Sequence, residues 1–168
     1  MTAAQQSERY AAAFEYANRA LSIQEKQPGA KPLDIGEAYV RCAILLRLAN
    51  KQTEAEGYEK RAREIYATLP TSPEPMSVRG GVLTGSALLK VQPRYPVEAK
   101  QTRAQGPVQV RVTIDEVGIV IEAVPINGRP ELHQASVEAA RQWRFKPTVV
   151  NGVPRKVQSV LTFNFTLQ

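Results

Sequence analysis

Cysteine, histidine and long apolar runs are all scarce in this 168-residue chain. The single Cys42 excludes an internal disulfide and any metal site built from several cysteines. No run approaches the ~18 consecutive apolar residues of a membrane-spanning helix, and the N-terminus lacks the apolar core of a signal peptide. With 43% apolar and 23% charged residues, the sequence predicts a soluble, globular protein.

Motifs that carry enzyme chemistry are also missing. His133 is the only histidine, and no serine or cysteine nucleophile accompanies it in a known catalytic motif. Gly80-Gly81 has neither the spacing nor the following Lys-Ser/Thr of a phosphate-binding loop. We therefore predict a protein that is not an enzyme and has no cofactor or metal site.

Positive charge is unevenly distributed along the chain. Residues 1–69 contain 10 basic and 9 acidic side chains, whereas residues 70–168 contain 12 basic and 7 acidic ones. Such an excess suits an acidic polymer, a lipid surface or an acidic peptide, and equally a surface whose charge only keeps the protein soluble. Nucleic acid is not an expected partner, because the aromatic residues fall on inward positions of the predicted elements.

Strict alternation of apolar and polar residues marks the C-terminal part of the chain. Residues 108–114 have a β-branched apolar side chain at every second position, as in a half-buried strand. Gly118 allows a short turn, and residues 119–124 return as a second strand. Residues 157–167 alternate in the same way and form the third and longest strand.

A helix is predicted between the second and third strands. Residues 130–144 have Pro130 at the first turn and an inward stripe of Leu132, Ala135, Ala139 and Trp143. The order strand, strand, helix, strand predicts an α+β fold, in which an antiparallel three-stranded sheet packs against the helix.

A series of landmarks runs through the same region. In order they are Tyr95-Pro96, Ala99, Gly106, Ile114-Asp115, Gly118, Leu132, Ala135, Trp143-Arg144-Phe145, Pro147, Asn151-Gly152, Pro154 and Phe163-Asn164-Phe165. Together they resemble the C-terminal domain of TonB-type energy transducers. The resemblance implies a periplasmic protein, with an inner-membrane anchor in the full-length molecule.

Three helical patterns precede this region, at residues 7–26, 34–49 and 53–69, with Asp34 and Thr53 as the expected N-caps of the second and third. Five residues of the first pattern recur in the third at a constant offset of 42: Ala13, Tyr16, Arg19, Ala20 and Ile23 return as Ala55, Tyr58, Arg61, Ala62 and Ile65. A fixed offset is typical of helical repeats, and the pattern resembles tetratricopeptide (TPR) repeats. Because fewer than three repeats are rarely stable alone, we expect further repeats upstream, or packing against a second copy or the C-terminal domain.

The predicted domain organisation has three parts. Residues 1–69 are the TPR-like helical segment, residues 70–77 a proline-rich extended linker, and residues 78–168 the TonB-like domain. Residues 80–85, with the sequence Gly-Gly-Val-Leu-Thr-Gly, are expected to add a short strand to the sheet.

The last strand carries the predicted functional site. In a sheet made of a hairpin and one late strand, the late strand pairs beside the first strand and leaves its other edge open. The resemblance to TonB-type domains implies that this edge binds an extended peptide of an outer-membrane TonB-dependent transporter by strand addition. We call the residues predicted to bind the peptide the closing strip; they are Arg155, Lys156, Val157, Gln158, Ser159, Val160, Leu161 and Thr162. The alternatives are that residues 80–87 or a second copy of the chain, in a homodimer, cover the edge.

Arg144 is assigned to the same partner-binding set. Its neighbours Trp143 and Phe145 are expected to anchor the helix end in the core, while the charge of Arg144 emerges at the surface.

The predicted function is that of a non-enzymatic periplasmic protein which binds a transporter peptide. The resemblance also implies transmission of energy from inner-membrane motor proteins through a membrane anchor. The alternative function is that of a protein-protein adaptor, whose TPR-like helices hold one protein while the sheet domain binds a peptide or dimerises.

Overall fold

Three helices form the N-terminal part of the structure, a computed structural model that describes residues 2–70 and 74–167. They are α1, Ala3–Lys26; α2, Pro32–Leu48; and α3, Gln52–Tyr66. A capping box opens α1, because Thr2 Oγ1 accepts from the Gln5 N–H and Gln5 Oε1 accepts from the Thr2 N–H.

The starts of α2 and α3 differ from the prediction. These helices begin after Lys31 and Lys51 without a side-chain cap, so Asp34 and Thr53 are not the N-caps. Pro32 at the first position fixes the start of α2, and Asp34 falls in its first turn, where a negative charge is favourable next to the helix dipole.

The three helices pack around a small apolar core. Its buried members are Phe14, Leu21, Ala38, Cys42, Leu46 and Ala55. Tyr58 of α3 approaches Phe14 edge-on, with ring centroids 5.5 Å apart, and its hydroxyl donates to Asn18 Oδ1 at 2.8 Å. A buried ion pair joins α2 to α3, since Arg47 donates to both carboxylate oxygens of Glu59 at 2.6 and 2.8 Å.

The second half of the chain alternates short strands and helices. In chain order these are β1, Met76–Ser77; α4, Gly80–Gly85; β2, Ala87–Leu89; α5, Val97–Gln101; β3, Gly106–Ile114; β4, Val120–Asn127; α6, Pro130–Gln142; β5, Arg144–Phe145; β6, Val149–Val150; β7, Val153–Pro154; and β8, Val157–Phe165. The predicted α+β class, with helices first and a helix-backed sheet after them, is confirmed.

The main sheet has four strands, one more than predicted, in the order β1-β8-β3-β4. β3 pairs antiparallel with both β4 and β8, whereas β1 pairs parallel with β8. Two further two-stranded pairs are β2 with β5 and β6 with β7. The prediction of a strand at residues 80–85 is wrong, because Gly80–Gly85 form the short helix α4.

The core of the sheet lies between β3, β8 and α6. The inward residues of β3, Val108, Val110 and Val112, are 0% exposed. Those of β8 are Val157, Leu161, Phe163 and Phe165, and α6 contributes Leu132, Ala139 and Ala140. The alternation seen in the sequence therefore gives each strand one buried face and one face toward solvent.

The chain divides into two compact units. The first, which we call the helical unit, comprises residues 1–71 with residues 149–154. The second, the sheet unit, comprises residues 72–148 with residues 155–168. Of the predicted linker at 70–77, residues 71–73 lie outside the described residues, and Met76–Ser77 form β1 of the sheet. Within residues 2–70 and 74–167, no helix combines the length and apolar character needed to span a bilayer.

Candidate functional site

β8 directs its backbone groups alternately to its two sides. All nine of its residues pair with β3. On the other side, the Met76 N–H donates to the Lys156 carbonyl at 2.8 Å, and the Val78 N–H donates to the Gln158 carbonyl at 3.0 Å. Successive strand residues point their N–H and C=O groups to opposite edges. The even-numbered residues of β8 therefore face the outer edge, and the odd-numbered ones bond to β3.

β1 covers the first part of this outer edge. It pairs with Val157 and Gln158 only. The Val78 carbonyl, which would be the next acceptor in a parallel ladder, accepts from the Ser159 hydroxyl at 2.6 Å. The prediction that the whole closing strip has a free edge is therefore wrong for its first part, because the chain's own backbone pairs there.

The rest of the outer edge is open in the described part of the chain. Val160, Thr162 and Asn164 direct their N–H and C=O groups to the side where the sheet order has no strand beyond β1, and β1 does not reach them. At ~3.4 Å per residue, this open row is about 14 Å long. α4 also contacts β8, and its Leu83 is buried in the sheet core, so the edge is open in the sense that no described strand pairs with these residues. We call this row of three residues the open edge.

The side chains of the closing strip divide between core and surface. Val157, Ser159 and Leu161 are buried, and Arg155, Lys156, Gln158 and Val160 are half-buried, whereas Thr162 is exposed. The buried members fix the strand in the core. Gln158, Val160 and Thr162 line the solvent face of β8, whereas Arg155 and Lys156 precede the strand.

The sheet has a second edge, at β4, that is less suited to receive another strand. Pro125 lies within β4 and has no N–H to donate. The β3–β4 register also shifts twice, between Gln109 and Val110 and between Thr113 and Ile114. Proline and register irregularities are features that protect natural edge strands from pairing. β8 therefore offers the more regular edge.

Arg144 does not belong to this edge. Arg144 is only 8% exposed, and its Nη1 donates to the carbonyls of Arg141 and Trp143 at 3.0 Å each. These carbonyls lie at the C-terminal end of α6, where a positive charge is favourable. The prediction that the charge of Arg144 emerges at the surface is wrong, because the guanidinium turns back to cap the helix.

Two parts of the site were missed by the sequence prediction. Asn164 lies beyond the predicted strip, although the alternation of β8 continues through it to Phe165. Met76 and Val78 were assigned to a linker and to the start of the domain, because a two-residue strand has no period to detect. The strip was also read as uniform, whereas only its even-numbered residues offer main-chain groups to a partner.

Asp115, in the turn after β3, is only 6% exposed. Its Oδ1 accepts from the N–H groups of Val117 and Ile119 at 3.1 and 2.8 Å. These bonds shape the turn between β3 and β4.

Among the residues that the structure describes, no cluster of three or more His, Cys, Asp or Glu side chains is arranged to hold a metal ion.

Comparison with known proteins gives two family matches. Residues 91–167 match the family described as Gram-negative bacterial TonB protein C-terminal, and residues 2–68 match the tetratricopeptide repeat family. Protein TonB of Vibrio cholerae serotype O1 is 32% identical over 81 residues, which are 47% of this chain. The match covers 33% of the length of that relative, so the chain spans about a third of it.

A solved structure is also similar. The solution NMR structure of the Pseudomonas aeruginosa TonB CTD is 31% identical, with 49% of this chain and 85% of that chain covered and a TM-score of 0.38. The resemblance seen in the sequence is confirmed: residues 91–167 match the TonB C-terminal family, and the residues before them match the tetratricopeptide repeat family.

Proposed function

We propose that the sheet domain binds an extended peptide of an outer-membrane TonB-dependent transporter, which adds to the open edge of β8 as a further strand. The observation that carries this proposal is the row of outward N–H and C=O groups on Val160, Thr162 and Asn164. Strand addition needs such a row, because main-chain hydrogen bonds supply its affinity. The relatives named Protein TonB and TonB CTD support assigning the role to this domain.

Selectivity for the peptide comes from the side chains beside the edge. Val160 and Thr162 lie on the solvent face of β8 and contact alternate residues of an added strand. Arg155 and Lys156 precede the strand, in a chain with a net charge of +6. An extended peptide with an acidic residue near this end is therefore favoured over a basic one.

In this proposal the protein works in the periplasm and is not an enzyme. Its peptide complex passes energy from inner-membrane motor proteins to the transporter, through an anchor outside the residues described. This part of the proposal follows from the family, and the peptide complex is the step that the geometry of β8 supports.

A proline substitution on the open edge tests the proposal. Thr162→Pro removes an N–H that points to the peptide and keeps the bonds of Leu161 and Phe163 to β3. Loss of one main-chain hydrogen bond predicts at least about fivefold weaker binding of a transporter N-terminal peptide to the full chain, measured by calorimetry. Thr162→Val keeps the N–H and the β-branched shape, so its affinity stays within about twofold of the parent. Equal binding by the parent and Thr162→Pro would contradict strand addition here.

The adaptor function is the second candidate, and an exposed stripe on α1 favours it. Tyr16 and Ile23 are 74% and 60% exposed, although they are apolar or aromatic. Ile23 lines a groove of about 510 Å³ between α1 and α2, whose other lining residues are Ala17, Ala20, Gln24, Ala38, Arg41 and Leu45. This candidate predicts a protein partner whose binding is lost in Tyr16→Ala and Ile23→Ala and kept in Thr162→Pro. Binding of a transporter peptide has the opposite dependence.

A further inference from the structure

β1 already occupies part of the edge that the proposed function assigns to a peptide. It is an extended segment of this chain, parallel to β8 and held by the bonds from the Met76 and Val78 N–H groups to the Lys156 and Gln158 carbonyls. A peptide that reaches these carbonyls needs the same acceptors. The same main-chain groups cannot pair with both strands at once.

The attachment of β1 is slight for a strand of a sheet. β1 has two residues, of which Met76 is half-buried and Ser77 is exposed, so the strand itself buries little apolar surface, and Val78 after it is only partly buried against the core. Parallel pairing is also somewhat less stable per residue than antiparallel pairing. Pro75, directly before β1, has no N–H with which to extend the ladder.

A side chain of β8 marks the end of β1. Ser159 is 5% exposed, and its hydroxyl donates to the Val78 carbonyl at 2.6 Å. This bond takes the carbonyl that would otherwise accept from the next outward N–H, that of Val160. Ser159 therefore stops the ladder and leaves the open edge free, while it also holds β1 in place.

We propose that β1 is a built-in competitor of the peptide, held at the start of the edge by Met76, Val78 and Ser159. A short peptide attaches at the open edge while β1 stays in place. A longer one, extending to Lys156 and Gln158, displaces β1 and so binds more weakly than it would to an unoccupied edge. This inference rests on the proposed function for its biological role, but the competition itself is tested without a transporter peptide.

The probe is a synthetic peptide with blocked ends and the sequence of residues 74–79, Glu-Pro-Met-Ser-Val-Arg, added to the full chain. Met76→Pro removes the N–H that bonds Lys156 and vacates the edge. Ser77→Pro is the matched control, because the Ser77 N–H points away from β8 in this register. We expect the probe to bind Met76→Pro about fivefold more tightly than the parent, and Ser77→Pro like the parent.

Amide hydrogen exchange gives a second readout that needs no peptide. The Gln158 N–H faces β1, so its exchange accelerates about fivefold in Met76→Pro and not in Ser77→Pro, while Leu161 keeps its protection. Ser159→Ala, which changes no backbone group, shifts probe affinity and Gln158 exchange in the same direction as Met76→Pro.

The outcomes separate the two proposals. Unchanged probe affinity and unchanged Gln158 exchange in both Met76→Pro and Ser159→Ala overturn the competitor role of β1, as do equal effects of the two proline variants. Tighter probe binding to Met76→Pro, with no transporter peptide bound by any variant, supports the competitor role and contradicts the proposed function.

Discussion

Tyr16 and Tyr58 occupy equivalent positions 42 residues apart, yet Tyr16 is 74% exposed while the ring of Tyr58 lies 5.5 Å from that of Phe14. The internal repeat thus presents the same residues twice: in α3 Tyr58 packs against α1 and α2, whereas in α1 Tyr16 faces solvent. The repeat does not determine which copy is buried, so the two tyrosines contribute differently to the free energy of unfolding.

This difference predicts unequal effects of the same substitution. Tyr58→Ala removes the contacts with Phe14 and Tyr39 and the bond to Asn18, and we expect it to lower the free energy of unfolding of the helical unit by about 3 kcal/mol. Tyr16→Ala should change it by less than about 0.5 kcal/mol. Urea unfolding followed by far-UV circular dichroism gives both values. A similar loss in both variants would mean that the α1 stripe is covered in solution.

Gly118 cannot carry a side chain. Its φ is +90°, and a Cβ there would collide with the carbonyl oxygen of Phe145, whose N–H donates to the Gly118 carbonyl at 2.9 Å. We expect Gly118→Ala to destabilise the sheet unit by roughly 3 kcal/mol, since strain and overlap act together. Trp143, the single tryptophan and a buried one, reports this unfolding by its fluorescence.

Gly106→Ala is the control that separates the two causes. Its φ is +117°, but an added Cβ would meet no described atom within 4 Å. Only backbone strain remains, at a cost of about 1–2 kcal/mol. An equal loss in both variants would show that overlap with Phe145 contributes nothing.

The buried Arg47–Glu59 pair makes a third prediction. The two side chains are 13% and 8% exposed and meet through two hydrogen bonds. Glu59→Gln leaves Arg47 charged and poorly paired, and we expect a loss of roughly 3 kcal/mol in the urea unfolding of the helical unit. Arg61 and Glu64 form an exposed pair at 2.9 Å, so Glu64→Gln should cost less than about 0.5 kcal/mol. Comparable small losses for both would place Arg47 and Glu59 in contact with water.

Cys42 is predicted to be inert while the protein is folded. Burial raises the pKa of its thiol to about 11, which the nearby charge of Arg41 lowers only in part. As pH rises, the thiol ionises in the unfolded chain before it ionises in the folded one. The contribution of the buried neutral thiol to the free energy of unfolding is therefore complete below pH ~8.5 and is lost toward pH 11. Reaction with a thiol reagent at pH 8 should be at least ~100-fold slower than in denaturant. The stability of the parent should also fall relative to Cys42→Ala between pH 9 and 11, and a rise would contradict this assignment.

Periodic burial explains which elements the sequence predicted. β3, β8 and α6 each bury one face along most of their length, so their apolar residues recur at the strand or helix period. The repeat at offset 42 identified α1 and α3 for the same reason. For such elements the local pattern and the tertiary contacts agree.

The errors lie where a distant contact decides the structure. β1 exists because of its bonds to a strand 81 residues away, as the Ser159–Val78 pair shows, and two residues carry no pattern that reveals this. α4 was predicted as a strand from its Gly-Gly-Val-Leu sequence, but the Leu83 N–H bonds to the Arg79 carbonyl and its side chain enters the core. Arg144 is buried because carbonyls at the end of α6 accept its charge, which its residue type alone does not predict.

The open edge of β8 is the central claim, and amide chemical shifts of the full chain during titration with a transporter N-terminal peptide test it most directly. We predict that the amides of Val160, Thr162 and Asn164 shift most, because their N–H groups acquire acceptors, while those of Leu161 and Phe163 shift less since their bonds to β3 persist. Shifts confined to β4 or to the helical unit, with the open edge unchanged at saturating peptide, would contradict it.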